Sequence, residues 1–145
     1  MQKVAEGVFR GPHVDPRELE IGRCRFAVMH ALDLESGKQI LGDRSPLQEQ
    51  LDCSEDGLRC WAHPLGTFFP PSLTELRLAV RVIQKTRETG IYVHCAKGVD
   101  RTGMVIAAFR ILVEEWDPFD AAAECFREGM HWIYLPWLLQ LWRLK

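Results

Sequence analysis

Apolar and polar positions along the chain alternate between short strand-like runs and longer helical repeats. Val8-Phe9-Arg10-Gly11-Pro12 reads as a short edge strand ending in a turn. Phe26–Leu32 (FAVMHAL) reads as a central strand and Leu58–Ala62 (LRCWA) as another. Asp15-Pro16 and Ser45-Pro46 each pair a capping residue with a proline suited to the first helical position. Short helices are therefore expected after Asp15 and from Ser45 to about Cys53. Asp33–Gly42 is a polar loop and Glu55-Asp56-Gly57 a turn. Ser72-Leu73-Thr74-Glu75 is a capping box that opens a long helix, Leu73–Thr89, stopped by Gly90. Leu73, Leu76, Ala79, Val80 and Ile83 recur on its core face. A buried strand, Ile91–Val93, follows at once. Thr102–Glu115 is a helix that is apolar nearly all round, and Asp117-Pro118 begins another, Phe119–Glu128, closed by Gly129. The tail HWIYLPWLLQLWRLK lacks a basic face, which favours a terminal helix packed on the core over a membrane-seeking segment. Strands alternating with helices predict an α/β fold, a central and mostly parallel sheet flanked by helices.

A length of 145 residues predicts a single domain spanning 1–145, and a hydrophobic share of 47% is enough to build its core. The net charge of −2 carries no global basic footprint, so nucleic acid is not expected as a partner. No apolar run approaches the roughly 20 residues a membrane span needs, so stable membrane insertion is not expected. The N-terminus lacks the apolar core of a signal peptide. The five cysteines are odd in number and form no C-x-x-C pair, which argues against a disulfide framework or a zinc site and for a reducing compartment such as the cytoplasm. Cys24, Cys53, Cys60 and Cys125 are expected to be core or surface thiols. One of them could instead partner Cys95 under oxidation.

The candidate chemistry is concentrated in Ile91–Gly103, IYVHCAKGVDRTG: a strand, a tight loop and the start of a helix. Backbone N–H groups from Ala96 through Lys97, Gly98, Val99 and Asp100 to Arg101 can curl into an anion cradle. The unpartnered N–H groups and dipole of the following helix reinforce it. A cysteine at the floor of such a site has its pKa lowered to roughly 3.5–7.5, against about 8.5 for the free thiol. Cys95 is then a nucleophile facing a bound phosphate, and the Arg101 fork can grip two phosphoryl oxygens into the transition state.

His94-Cys95-x5-Arg101-Thr102, with Gly98 inside the loop and Gly103 after it, resembles the signature of the cysteine-dependent protein tyrosine and dual-specificity phosphatases. The resemblance implies the small phosphatase fold of that family and a metal-free, cofactor-free enzyme working through a phosphocysteine intermediate. The implied substrate is a phosphorylated protein or a small phosphate monoester, with a tyrosine or dual-specificity protein phosphatase as the main reading. In that role His94 helps hold the thiolate, the Thr102 hydroxyl stabilises the sulfur as a leaving group, and Lys97 points outward to read a second phosphate or simply to be solvated.

One part departs from the family. Its general acid is an aspartate on a separate upstream loop, and the corresponding window here, Trp61–Phe68, contains no carboxylate. Asp100 is one candidate, because loops of the form CxxGxDRT resemble those of myotubularin-type and certain bacterial lipid and tyrosine phosphatases. Asp100 could instead only pair with a neighbouring cation or cap the loop. His63 is a second candidate, though a lone histidine before proline is more often structural. Phe68 and Phe69 either wall the mouth or cap the sheet edge. Two further readings follow: a phosphoinositide or other non-protein phosphatase, and a catalytically weak phosphate-binding module. An arsenate reductase or rhodanese-like enzyme fits less well, since the loop comes late and no second cysteine is close in sequence.

Overall fold

The computed structural model describes residues 2–12, 30–34, 48–50, 59–62, 70–95 and 97–144. Six strands form one sheet: β1 (Gln2–Ala5), β2 (Val8–Pro12), β3 (His30–Asp33), β4 (Gln48–Gln50), β5 (Arg59–Ala62) and β6 (Ile91–Cys95). Their order is β1-β2-β6-β3-β5-β4. The four inner strands run parallel, and each outer strand pairs antiparallel with its neighbour. The expected α/β sheet is therefore present, parallel at its centre and mixed at its margins.

Four α-helices are described: α1 (Leu73–Thr86), α2 (Asp100–Leu112), α3 (Pro118–Arg127) and the short α4 (Leu135–Leu138). The capping box at Ser72 forms in both directions: the Ser72 hydroxyl accepts from Glu75 N–H at 3.1 Å, and Glu75 accepts from Ser72 N–H at 2.9 Å. Such a cap contributes about 0.5–2 kcal/mol to the helix it starts. Helix α1 buries Leu76, Ala79, Val80, Val82, Ile83 and Thr86, and it ends at Thr86 in a turn that leads to Gly90. Helix α2 is buried from Thr102 to Phe109 and again at Ile111. It packs against α1, α3 and β6, which is why its sequence is apolar on every side. Asp117 caps α3 by accepting from Phe119 N–H at 2.8 Å, with Pro118 in its first turn.

Three expectations are corrected. Val8–Pro12 is an interior strand, because β1 covers one side and β6 pairs with the other. The helix expected from Ser45 to about Cys53 is contradicted at Gln48–Gln50, which is a strand; antiparallel pairing with β5 supplies backbone partners that local helix propensity could not outweigh. The tail is not one helix but a 3-10 turn (Trp132–Tyr134), α4, and a second 3-10 turn (Leu139–Arg143). It does pack on the core, through Trp137, Leu138, Leu141 and Leu144. The helix expected after Asp15 lies outside the described residues, as do the first part of the Phe26–Leu32 strand, Cys24, Cys53, His63, Phe68, Phe69 and Ala96. Among the described residues, no helix is long and apolar enough to cross a membrane.

Candidate active site

Strand β6 lies between β2 and β3, and all five of its residues are buried. The register sets Cys95 opposite Pro12 of β2, and His94 opposite Gly11 of β2 and Asp33 of β3. Cys95 therefore emerges at the carboxyl end of a central parallel strand, where open α/β sheets place their ligands. Helix α2 begins at Asp100, and its cap residue Val99 makes no side-chain capping bond. A helix N-terminus without such a cap favours an anion near it.

Beneath that loop the chain is closely fitted. The Thr102 hydroxyl donates to Cys95 Sγ at 3.2 Å, both groups being buried. Gly98 sits at φ +71°, and a Cβ there would lie 2.2 Å from the Gly11 carbonyl, so glycine is required on both conformational and steric grounds. A Cβ on Gly11 would in turn lie 2.2 Å from the Tyr92 hydroxyl, which donates to the Pro12 carbonyl at 2.7 Å. Burial, with an electrostatic contribution from Cys95 adding to it, pushes Tyr92 up to about 12, so the phenol stays protonated as a donor. The His94 ring is buried and stacks on Tyr92, with centroids 5.7 Å apart. The His94 carbonyl accepts from Leu34 N–H at 2.9 Å.

The remaining candidates follow Cys95 in the loop and the first turn of α2. Lys97 is exposed, and Val99, Asp100 and Arg101 are half-buried. Burial raises the Asp100 carboxyl above the usual aspartate value. Lys97, Arg101 and His131 pull the other way, and burial prevails. A raised carboxyl pKa is the direction in which a general acid is tuned.

Sequence reasoning missed three contributors. Arg10 of β2 is 4% exposed and donates from Nη2 to the Gly98 carbonyl at 3.1 Å. Its signal was a lone cation inside an apolar strand. The turn after α3 is the second contributor: a Cβ on Gly129 would lie 3.7 Å from Val99, and one on Gly103 3.1 Å from Met130. His131, next in the chain, is the third, and it acts on Asp100 by charge. Cys125 donates its thiol to the Gly103 carbonyl at 3.4 Å, and burial pushes it up to about 12, so it stays an inert thiol behind the loop. Both Cys95 and Cys125 are free. Among the described residues, no group of three or more His, Cys, Asp or Glu is arranged to hold a metal ion.

A buried thiol at the end of a central parallel strand, a glycine-dependent loop and a helix N-terminus define a cysteine-based phosphatase. Residues 28–115 match the family model described as "Polymorphic toxin system, DSP-PTPase phosphatase" (Tc-R-P), and the chain belongs to that family. No curated protein sequence matches it. Among solved structures, Tk-PTP in its active form is similar with a TM-score of 0.72 at 20% identity, over 98% of this chain and 92% of that one. PTPMT1 in complex with PI(5)P is similar with a TM-score of 0.73 at 17% identity, over 98% of this chain and 94% of that one. TpbA of P. aeruginosa is similar with a TM-score of 0.64 at 22% identity, over 86% of this chain and 71% of that one. At these identities the likeness concerns the fold.

Proposed function

We propose that this phosphatase hydrolyses phosphate monoesters, in the first instance phosphotyrosine or other phosphorylated side chains, through a phosphocysteine at Cys95. The observation that carries the reading is the Thr102 hydroxyl bonded to Cys95 Sγ at 3.2 Å, at the foot of the loop that opens α2. The thiolate attacks phosphorus and the ester P–O bond breaks. Asp100 gives its proton to the departing oxygen, Arg101 and the inward N–H groups hold the phosphoryl oxygens, and the Thr102 hydroxyl stabilises the sulfur. Asp100, now ionised, takes a proton from water as its oxygen attacks phosphorus. The P–S bond breaks, and phosphate and the thiolate are released. His94, Ala96, Lys97, Gly98 and Val99 form the rest of the phosphate-binding loop in this scheme. The chemistry needs no metal and calls for a reducing compartment such as the cytoplasm. Residues 1–145 act in it as a single phosphatase domain.

A second substrate class, phosphoinositides or other non-protein phosphate esters, is supported by exposed Lys97 in the loop and by the PI(5)P named in the PTPMT1 complex. A panel of phosphopeptides and phosphoinositides, with Cys95→Ser as the control, separates the classes. Asp100→Asn tests the acid. It is expected to lose on the order of 10²–10⁴-fold in the single-turnover release of alcohol from an alkyl phosphate while losing little in the first-turnover burst of p-nitrophenolate, whose leaving group needs scarcely any protonation. Turnover surviving Cys95→Ser refutes the phosphocysteine scheme. An unchanged single-turnover rate on the alkyl phosphate in Asp100→Asn moves the acid elsewhere.

A further inference from the structure

A guanidinium inside a sheet is costly unless its donors meet acceptors. Arg10, the third residue of β2, stands in register with Val93 of β6 and is 4% exposed. Its Nη2 reaches across 88 positions of sequence to the Gly98 carbonyl, at 3.1 Å. The same Nη2 lies 3.9 Å from where a Cβ on Gly103 would stand. The guanidinium therefore runs under the loop from Gly98 to the first turns of α2. Its charge reaches Cys125 behind Gly103, where it opposes the rise that burial imposes.

The peptide joining Gly98 to Val99 decides the polarity of the loop. One rigid plane carries the Gly98 carbonyl on one side and the Val99 N–H on the other. An anion cradle needs the N–H inward and the oxygen turned out. Were the plane to flip, the anion would lose a donor and meet a carbonyl dipole. Such a flip turns ψ of Gly98, where a glycine offers little resistance, and φ of Val99, so the carbonyl's own hydrogen bond adds to whatever holds the plane.

We propose that Arg10 is a positioning residue of the phosphatase site: by binding the Gly98 carbonyl from beneath, it holds the 98–99 peptide with its N–H toward the phosphate. The role rests on the phosphate-loop reading above. The neighbouring Gly11 backbone, against which Gly98 is packed, keeps the loop seated on the same strand. Strand β2 thus acts as the platform of the site without touching substrate.

The test is Arg10→Met and Arg10→Lys, each assayed for competitive inhibition by inorganic phosphate and for kcat and KM on p-nitrophenyl phosphate. Rates are expressed per folded molecule, with the folded fraction from circular dichroism. Arg10→Met is expected to weaken phosphate inhibition about tenfold or more and to lower kcat, the loss expected for one charge-assisted hydrogen bond. Arg10→Lys keeps the charge, loses the fork, and is expected to fall between. An arginine that served only stability would lower Tm and leave phosphate affinity and kcat per folded molecule at the wild-type values. That result in Arg10→Met overturns the proposal. If Arg10→Met does not fold, Arg10→Lys decides on the same criterion: weaker phosphate inhibition supports the role, and wild-type inhibition with wild-type kcat overturns it. A wild-type protein that neither turns over nor binds phosphate defeats the phosphatase reading itself. An active wild type with unaffected Arg10 variants defeats only the role of Arg10.

Discussion

The loop from Cys95 to Gly103 and the tail from Met130 to Leu144 meet in space but are held by different physics. The loop is fixed by directional contacts: Thr102 on the sulfur, Arg10 on the Gly98 carbonyl, and the Gly11 backbone against Gly98, where no side chain fits. The tail is held by area. Trp137, Leu138, Leu141 and Leu144 are buried, whereas Trp132, Ile133, Leu135, Leu139 and Trp142 on the same segment are exposed. Hydrophobic burial is non-directional, so it anchors the tail without specifying it atom by atom. Hydrogen bonds and close backbone approach fix positions to fractions of an ångström, which phosphoryl transfer requires. The loop should therefore fail in rate and the tail in stability.

Leu138→Ala should produce the largest effect. The side chain is fully buried, and its truncation is expected to cost about 2–5 kcal/mol, read as a lower denaturation midpoint. The kcat/KM per folded molecule should stay at the wild-type value. A rate loss without a stability loss would erase the contrast. Gly98→Ala comes next. The added Cβ meets the Gly11 backbone at 2.2 Å, so the loop must shift, and about 10²-fold or more of kcat/KM should be lost. That loss corresponds to about 2.7 kcal/mol of transition-state stabilisation, with the midpoint falling less than for Leu138→Ala.

Asp100 sharpens the comparison where the two regions touch. Its carboxyl titrates higher in the folded protein than in the unfolded chain, chiefly through burial. A group raised in this way contributes stability below its unfolded pKa and loses that contribution as pH rises through the folded pKa. Once the pH has passed the folded pKa, the ionised carboxylate is a liability. Above that pKa, Asp100→Asn should keep or raise Tm while losing activity on alkyl phosphates. For those substrates, the descending limb of the pH–rate profile should lie above the ordinary aspartate range. His131→Gln removes one of the side chains that lower Asp100 electrostatically, so it should move that limb to higher pH. An unmoved limb would disconnect the tail from the loop. The smallest effect is expected from Trp132→Ser. This ring is 72% exposed, and its loss should change stability by no more than about 0.5 kcal/mol.

Legibility in the sequence followed the range of the interactions. The capping box at Ser72 and Glu75, the Asp117-Pro118 start and the strand–loop–helix around Cys95 each involve residues a few positions apart, and all are present. Gln48–Gln50 shows the opposite case. A cap-and-proline start pointed to a helix, yet the segment is a strand, because its ladder partner on β5 lies a dozen or so residues away. Val8–Pro12 looked like an edge because nothing local announces that Gln2–Ala5 will cover it. Tryptophans and leucines in the tail signalled burial, but their spacing did not distinguish one helix from two 3-10 turns around a short α-helix.

The sequence alone determined where the proposed chemistry resides. A nucleophile, a glycine turn, an arginine and a helix start need only one short contiguous window, and their spacing survives in the linear text. Tertiary structure alone decided what supports that window. Arg10 and Gly11 under Gly98, Met130 against Gly103, and His131 acting on Asp100 join residues separated by tens of positions. Contacts of that kind leave no period or motif in a chain, because they arise only when the sheet brings β2 beside β6 and the end of α3 turns back onto the loop.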